Sequence, residues 1–307
     1  MKRNFLYLML LFWSTNGYTA GPWLAFTDLV SGPDIGVGDG LGSGAIVTMW
    51  GFALGSSQGN SFVEFCDVQS ICRFGHVYYW KNADGQLPSG PANLYESHGM
   101  QEIAFSIPDS ATGAGTLRVT VSGVASNELP FSVGNGSIFH VKSTGTDSND
   151  GSFNSPWLTI DHGEDFAGPG DLLYLHDLTE GSYGTKEVLR NSEGFKAGRD
   201  NNMAYVSYPN TRSVLIGGIG FRVPNGTEGI TMAKIVVQTS NCEIDGVTCA
   251  VGTSTSGSLG IMPTDKGRVI ANEITNIPGK CATGSAGALS PTTIVAINSP
   301  FSMKKLG

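Results

Sequence analysis

The sequence predicts an all-β chain in two parts, a β-sandwich followed by a short parallel β-solenoid. Three observations carry this. The 307 residues include 43 glycines, about twice the ordinary frequency of roughly 7%, and they show no collagen period. Short runs rich in β-branched and aromatic residues recur between turn clusters over the first 135 residues. In the last third, three segments of similar pattern follow one another at near-constant spacing, the mark of a repeat architecture.

Taken in order, residues 1–20 have the three parts of an export signal. Lys2 and Arg3 precede the apolar run 5–13, and small and polar residues lead to Ala20. An apolar run of nine residues is far short of the roughly 20 that span a bilayer, so no membrane span is expected. The expected location is secreted, periplasmic or extracellular. Removing Lys2 and Arg3 leaves 16 basic residues against 26 acidic ones, a net charge near −10. Such a surface, with no Lys/Arg cluster, argues against nucleic acid as a partner.

Residues 21–135 form the first expected unit. Segments 45–50 (AIVTMW) and 116–121 (TLRVTV) read as strands, and 62–65 and 76–80 add shorter ones, separated by turns at sandwich-like spacing. Cys66 and Cys72 flank a turn and suit a local disulfide; the pairing of Cys242, Cys249 and Cys281 stays open. Glycines in 36–44 (GVGDGLGSG) have no β-α-β context, so a loop is expected there and not a phosphate cradle.

Residues 136–307 form the second unit. A strand at 138–142 leads into the turn-rich segment 143–155, then Pro156-Trp157, a short helix over 159–166 with Asp161 as candidate N-cap, and a turn at 168–171 before the strand 172–175. Further on, SVLIGGIGFRV, NCEIDGVTCAV and GRVIANEITNI align if Ile216, Ile244 and Val269 are equivalent, giving steps of 28 and 25 residues. That is the length of one solenoid coil. In this register Phe221, Cys249 and Ile274 stack inward, and Asn272 sits at a bend where its amide can bond the backbone of an adjacent coil. About four coils fit before residue 307, and no capping segment is recognisable in the tail. The expectation is an incomplete solenoid, or a short one covered by loops or a partner.

Two resemblances follow from these residues. GAIVTMWGFALGSSQG and GTLRVTVSGVASNELPFSV resemble the opening and closing strands of IPT/TIG domains, small immunoglobulin-like sandwiches. GTDSNDGS, SPW and GPGDLLYL resemble the entry segment of secreted right-handed parallel β-helix proteins, many of them polysaccharide lyases. Together they imply a signal peptide, an immunoglobulin-like β-sandwich and then a short right-handed parallel β-helix.

A lyase of that kind would cleave an acidic, uronate-bearing polysaccharide by β-elimination. It needs a cation to neutralise the uronate carboxylate and a base for the adjacent proton. The candidate set is Glu243, Asp245 and Asp265 as ligands of a calcium ion, with Lys266 or Arg268 as base. In the aligned register Glu243 and Arg268 are ladder neighbours, which also fits a plain surface ion pair worth about 0–1 kcal/mol. Asp147, Asn149 and Asp150 are spaced like oxygen ligands for calcium, or they build turns through their own backbone. Tyr78, Tyr79 and Trp80 are candidates for stacking on sugar rings or for core packing. The sequence has no H-E-x-x-H or Walker motif. A non-catalytic glycan-binding or adhesin-like protein is the rival reading; a glycoside hydrolase would instead need a facing carboxylate pair about 5–10 Å apart.

Overall fold

A computed structural model describes residues 21–83, 99–176, 195–196, 202–216, 221–222, 228–238, 243–244, 247–248, 261–262 and 266–275. The expected export signal, Cys242, Cys249 and Cys281, and the tail all lie outside them. Among the described residues, apart from one short helix, the regular structure is β throughout.

The first part holds β1 (Trp23–Thr27), β2 (Ser31–Gly32), β3 (Ile46–Phe52), β4 (Phe62–Asp67), β5 (Cys72–Phe74), β6 (Val77–Asn82), β7 (Gln101–Ser106), β8 (Gly113–Val121), β9 (Val124–Ala125) and β10 (Leu129–Val133). One sheet has the order β1-β3-β7-β6. A second runs β2-β10-β8-β4-β5, with β9 beside β8. Pairing is antiparallel except between β2 and β10. Both sheets send apolar side chains into one core, among them Leu24, Val47, Met49, Ile103 and Phe105 from the first and Val63, Phe65, Leu117, Val119 and Phe131 from the second. The runs expected as strands from their β-branched residues correspond to β3, β4, β6 and β8. Gly51 is needed where it stands, because a Cβ there would meet the Trp23 carbonyl oxygen at 2.1 Å. Cys66 and Cys72 are direct cross-strand partners and are joined in a disulfide.

From Ile138 the pairing changes character. The remaining elements are β11 (Ile138–Lys142), α1 (Ile160–Phe166), β12 (Leu172–His176), β13 (Phe195–Lys196), β14 (Ala204–Ser207), β15 (Ser213–Ile216), β16 (Phe221–Arg222), β17 (Thr231–Ala233), β18 (Ile235–Gln238), β19 (Glu243–Ile244), β20 (Val247–Thr248), β21 (Ile261–Met262), β22 (Arg268–Ile270) and β23 (Glu273–Thr275). Three ladders are parallel: β11-β12-β14-β17-β22, β15-β18-β23 and β13-β16-β21. Among the described strands of this half, β19 and β20 pair antiparallel.

The first of these ladders is buried on both faces, as parallel sheets are. Alternate residues diverge, as the two-residue period of a strand requires. Ile138, Leu172, Tyr174, Ala204, Val206, Ala233 and Ile270 face the first part and join its core. Val141, Leu173, Leu175, Tyr205 and Met232 face the other way into a second core. The short helix contributes Ile160 and its C-cap Ala167 to that second core, and its buried Glu164 accepts a hydrogen bond from the Tyr205 hydroxyl at 2.7 Å.

Three expectations need correction. The helix cap is Thr159, whose Oγ1 accepts from the His162 N–H, and Asp161 sits in the first turn. The coil register differs from the sequence alignment: Ile216 pairs with Gln238, Val269 with Met232, and Phe221 with Ile261, while Ile244 lies in the β19-β20 hairpin opposite Val247. Glu243 therefore faces Thr248, and Arg268 faces Thr231; they are not ladder neighbours. The physical reason is that the hairpin copies the alternation of a coil strand without being one. Asn272 does behave as expected. It is buried, accepts from the Ile235 N–H at 2.9 Å and donates to the Met232 carbonyl at 2.8 Å, tying the β22-β23 corner to the β17-β18 corner.

Candidate functional site

The two cations singled out in the sequence meet in one place. A groove of about 160 Å³ lies between the Val30–Gly32 stretch of the first part and the ends of β12, β14, β17 and β22, with Asp171, Asn202, Lys266 and Arg268 in its wall. Lys266 precedes β22 in a left-handed backbone conformation. Its exposed ammonium pairs with Glu228 at 2.5 Å. Arg268, at the first position of β22, is held differently. Its Nη2 donates to the Thr27 carbonyl at 2.7 Å and its Nε to the Asp28 carbonyl at 3.3 Å, which fixes the guanidinium at the boundary between the two halves.

Of the three expected calcium ligands, only one falls among the described residues. Glu243 lies in β19, on the hairpin, and Asp245 and Asp265 fall outside the described residues. Asp171 belongs to a turn, its two oxygens accepting the N–H groups of Ser137 and Gly168.

The second calcium candidate takes its structural form. Asp147 accepts from the N–H groups of Leu158 and Thr159 and from the Thr159 hydroxyl; Asn149 donates to the Pro156 carbonyl; Asp150 accepts from the Ser152 N–H. These bonds fold the turn over Trp157, which donates its Nε1–H to Asn149 O. Among the described residues, Glu64, Cys66 and Cys72 also bring three ligand atoms within reach of one another. The disulfide, however, takes both sulfurs, and Glu64 is bonded to Arg118 at 2.7 Å.

A cluster that the sequence did not announce sits at the same boundary. Asp39, in the glycine-rich loop, accepts at Oδ2 from the hydroxyls of Tyr78 and, at 2.6 Å, of Tyr208, and at Oδ1 from the N–H groups of Leu41 and Gly42. Partial burial pushes its pKa up, but these four donors outweigh that and hold the carboxyl below the usual range. Burial and the Asp39 charge raise both tyrosines well above their ordinary values, so they stay protonated and keep donating.

Beside them, His176 stacks on the Tyr208 ring with centroids 4.3 Å apart. His140 Nε2 lies 2.9 Å from the Val37 carbonyl, which can only accept, so this nitrogen carries the proton. Nδ1 of His140 must then accept, and His176 Nε2–H donates to it across 2.8 Å. Burial keeps both rings neutral and lowers their pKa values to about 4 for His140 and about 3 for His176. No histidine was singled out in the sequence, because their partners are brought in by folding and no short motif records them. Of the three aromatics proposed for sugar stacking, Tyr78 is bonded to Asp39, the Tyr79 ring is approached by the ammonium groups of Lys81 and Lys234, and Trp80 is buried.

No family model matches this sequence, and no curated protein is similar enough to it to count as a relative. Among the described residues no helix is long and apolar enough to cross a membrane.

Proposed function

We propose that this chain is an exported carbohydrate-active protein of the polysaccharide lyase type, built as an immunoglobulin-like sandwich followed by a right-handed parallel β-helix. The recurrence of strands in three parallel ladders supports the second half of that reading, and the shared core of two antiparallel sheets supports the first. The observation that carries the function is the groove holding both Lys266 and Arg268. A carboxylate-bearing sugar entering it meets the fixed guanidinium of Arg268 and the exposed ammonium of Lys266. In this reading Arg268 neutralises the uronate carboxylate and Lys266, once released from Glu228 and deprotonated to the amine, takes the adjacent proton. Glu243, Asp245 and Asp265 remain the proposed calcium ligands.

One observation favours a second reading, a glycan-binding module without catalysis. Arg268 already spends two donors on backbone carbonyls, and Lys266 is already paired, as in a docking surface. One experiment separates the two. Folded protein is mixed with a panel of uronate polysaccharides, with calcium present or chelated, and the ultraviolet absorbance of an unsaturated uronate product is followed. A rise that disappears in Lys266→Ala supports elimination. Saturable binding without a rise supports the binding module, and neither binding nor a rise removes both.

A further inference from the structure

Asp28 and Lys234 meet where the antiparallel sheets pack against the parallel ladder. Asp28 follows β1 and is fully buried. Its Oδ1 accepts the N–H groups of Leu29 at 2.8 Å and Thr48 at 2.7 Å, which fixes the plane of the carboxyl group. Its Oδ2 is buried without a hydrogen-bond partner and lies 3.9 Å from Lys234 Nζ. Lys234 is the corner residue between β17 and β18, with φ of 59° and its own N–H bonded to the Ile270 carbonyl. From that corner the side chain runs into the boundary, where Nζ donates to Thr48 Oγ1 at 2.9 Å and approaches the Tyr79 ring.

Burying a carboxylate and an ammonium costs both ions their hydration, and one unmatched contact at 3.9 Å is a poor return. Burial pushes Asp28 up, against the pull of Lys234 and the N–H groups; it pushes Lys234 down, against the pull of Asp28 and Glu102. Both shifts lead toward a neutral acid and a free amine. Those two species, held together away from water, are the reactants of an amide condensation.

We propose that the side chains of Lys234 and Asp28 join in an intramolecular isopeptide bond that locks the first part of the chain to the parallel ladder. The Lys234 nitrogen attacks Asp28 Cγ, forming the C–N bond and a tetrahedral carbon. The Thr48 hydroxyl, already bonded to the amine, relays a proton from nitrogen to Oδ2. The C–Oδ2 bond then breaks and one water leaves. An acid and an amine become an amide and water, with no oxidant or cofactor required. The product is a neutral amide, so neither side chain can ionise at the boundary, and hydrolysis is disfavoured because Asp28 is fully buried.

The test is a peptide map of the folded full-length protein by mass spectrometry. The expected result is a branched peptide joining the segments around Asp28 and Lys234, lighter than their sum by one water, with Lys234 inert to an amine-labelling reagent after denaturation. Linear peptides with an unmodified Asp28 and a labelled Lys234 overturn the proposal. A succinimide would also lose water but gives no branched peptide, and that result likewise overturns it. On a denaturing gel the wild type is expected to migrate apart from Lys234→Gln; identical mobility counts against the bond. The peptide map needs no variant, so a Lys234→Gln chain that fails to fold does not weaken the test.

Discussion

The Tyr208 hydroxyl donates to Asp39 Oδ2 across 2.6 Å, joining residues 169 positions apart in the chain. That bond places a charged acceptor from the first part against an aromatic corner of the second. Replacing Asp39 with Ala strands the hydroxyls of Tyr78 and Tyr208 and two backbone N–H groups. Equilibrium denaturation is expected to show a loss of about 2–3 kcal/mol for Asp39→Ala and about 1 kcal/mol for Tyr208→Phe. Equal and negligible losses would mean that water replaces the carboxylate without cost.

Acid should loosen the same boundary. His140 and His176 have folded-state pKa values of about 4 and about 3, below the ordinary 6.5. The unfolded chain therefore takes up these protons first as pH falls. The stability they contribute is fully present above pH 6.5, declines below it, and is lost as pH falls through 4 and then 3. Asp39, also held below its ordinary value, adds a loss of the same sign at the acid end. Melting temperature measured between pH 7 and pH 3 is expected to fall. In His176→Gln the fall should be shallower, and an unchanged slope would show that other groups govern it.

Asn272 should behave as a structural residue and not as a ligand. Its two buried hydrogen bonds reach both sides of the β17-β18 corner. Asn272→Ala is expected to cost about 2–3 kcal/mol, because the Ile235 N–H and the Met232 carbonyl are left without partners. Polysaccharide affinity of the folded variant should not change.

The two groove cations should separate cleanly. Arg268→Ala removes the bonds to the Thr27 and Asp28 carbonyls and is expected to lower stability by about 1–3 kcal/mol as well as binding. Lys266→Ala, at an exposed ion pair, should leave denaturation within about 0.5 kcal/mol of wild type while weakening uronate binding. If both variants bind normally, the groove is not the site.

Local pattern announced the local elements. Strands β3, β4, β8, β11 and β12 follow from runs of β-branched and aromatic residues, and the Cys66–Cys72 bridge follows from a turn between two close cysteines. The coil register was not legible, because Thr231 and Arg268 are 37 positions apart in one ladder, Val236 and Glu273 the same 37 in the next, and the β19-β20 hairpin lies inside that span. Its segment carries a strand-like alternation, so sequence alone counts it as a coil. The cluster around Asp39 and the pair Asp28–Lys234 escaped for another reason. Each depends on a pairing across more than a hundred positions, Asp39 with Tyr208 and Asp28 with Lys234, that no local pattern records.

The core that runs from Phe65 through Ile46 and Tyr174 to Ile270 crosses the change from antiparallel to parallel pairing without a break, and the Tyr174 hydroxyl bonds both the N–H and the carbonyl of Ile46. The halves are consequently coupled in their melting. Heating should give one calorimetric transition, with a van't Hoff enthalpy close to the measured one. A chain cut near residue 135 would expose the apolar face of Leu172, Tyr174 and Val206, and each fragment would be a worse folder than its strand content implies. The first part is thus a buttress that the ladder needs along its flank, and a shearing load on the chain would be borne by that flank before any strand of the ladder is peeled away.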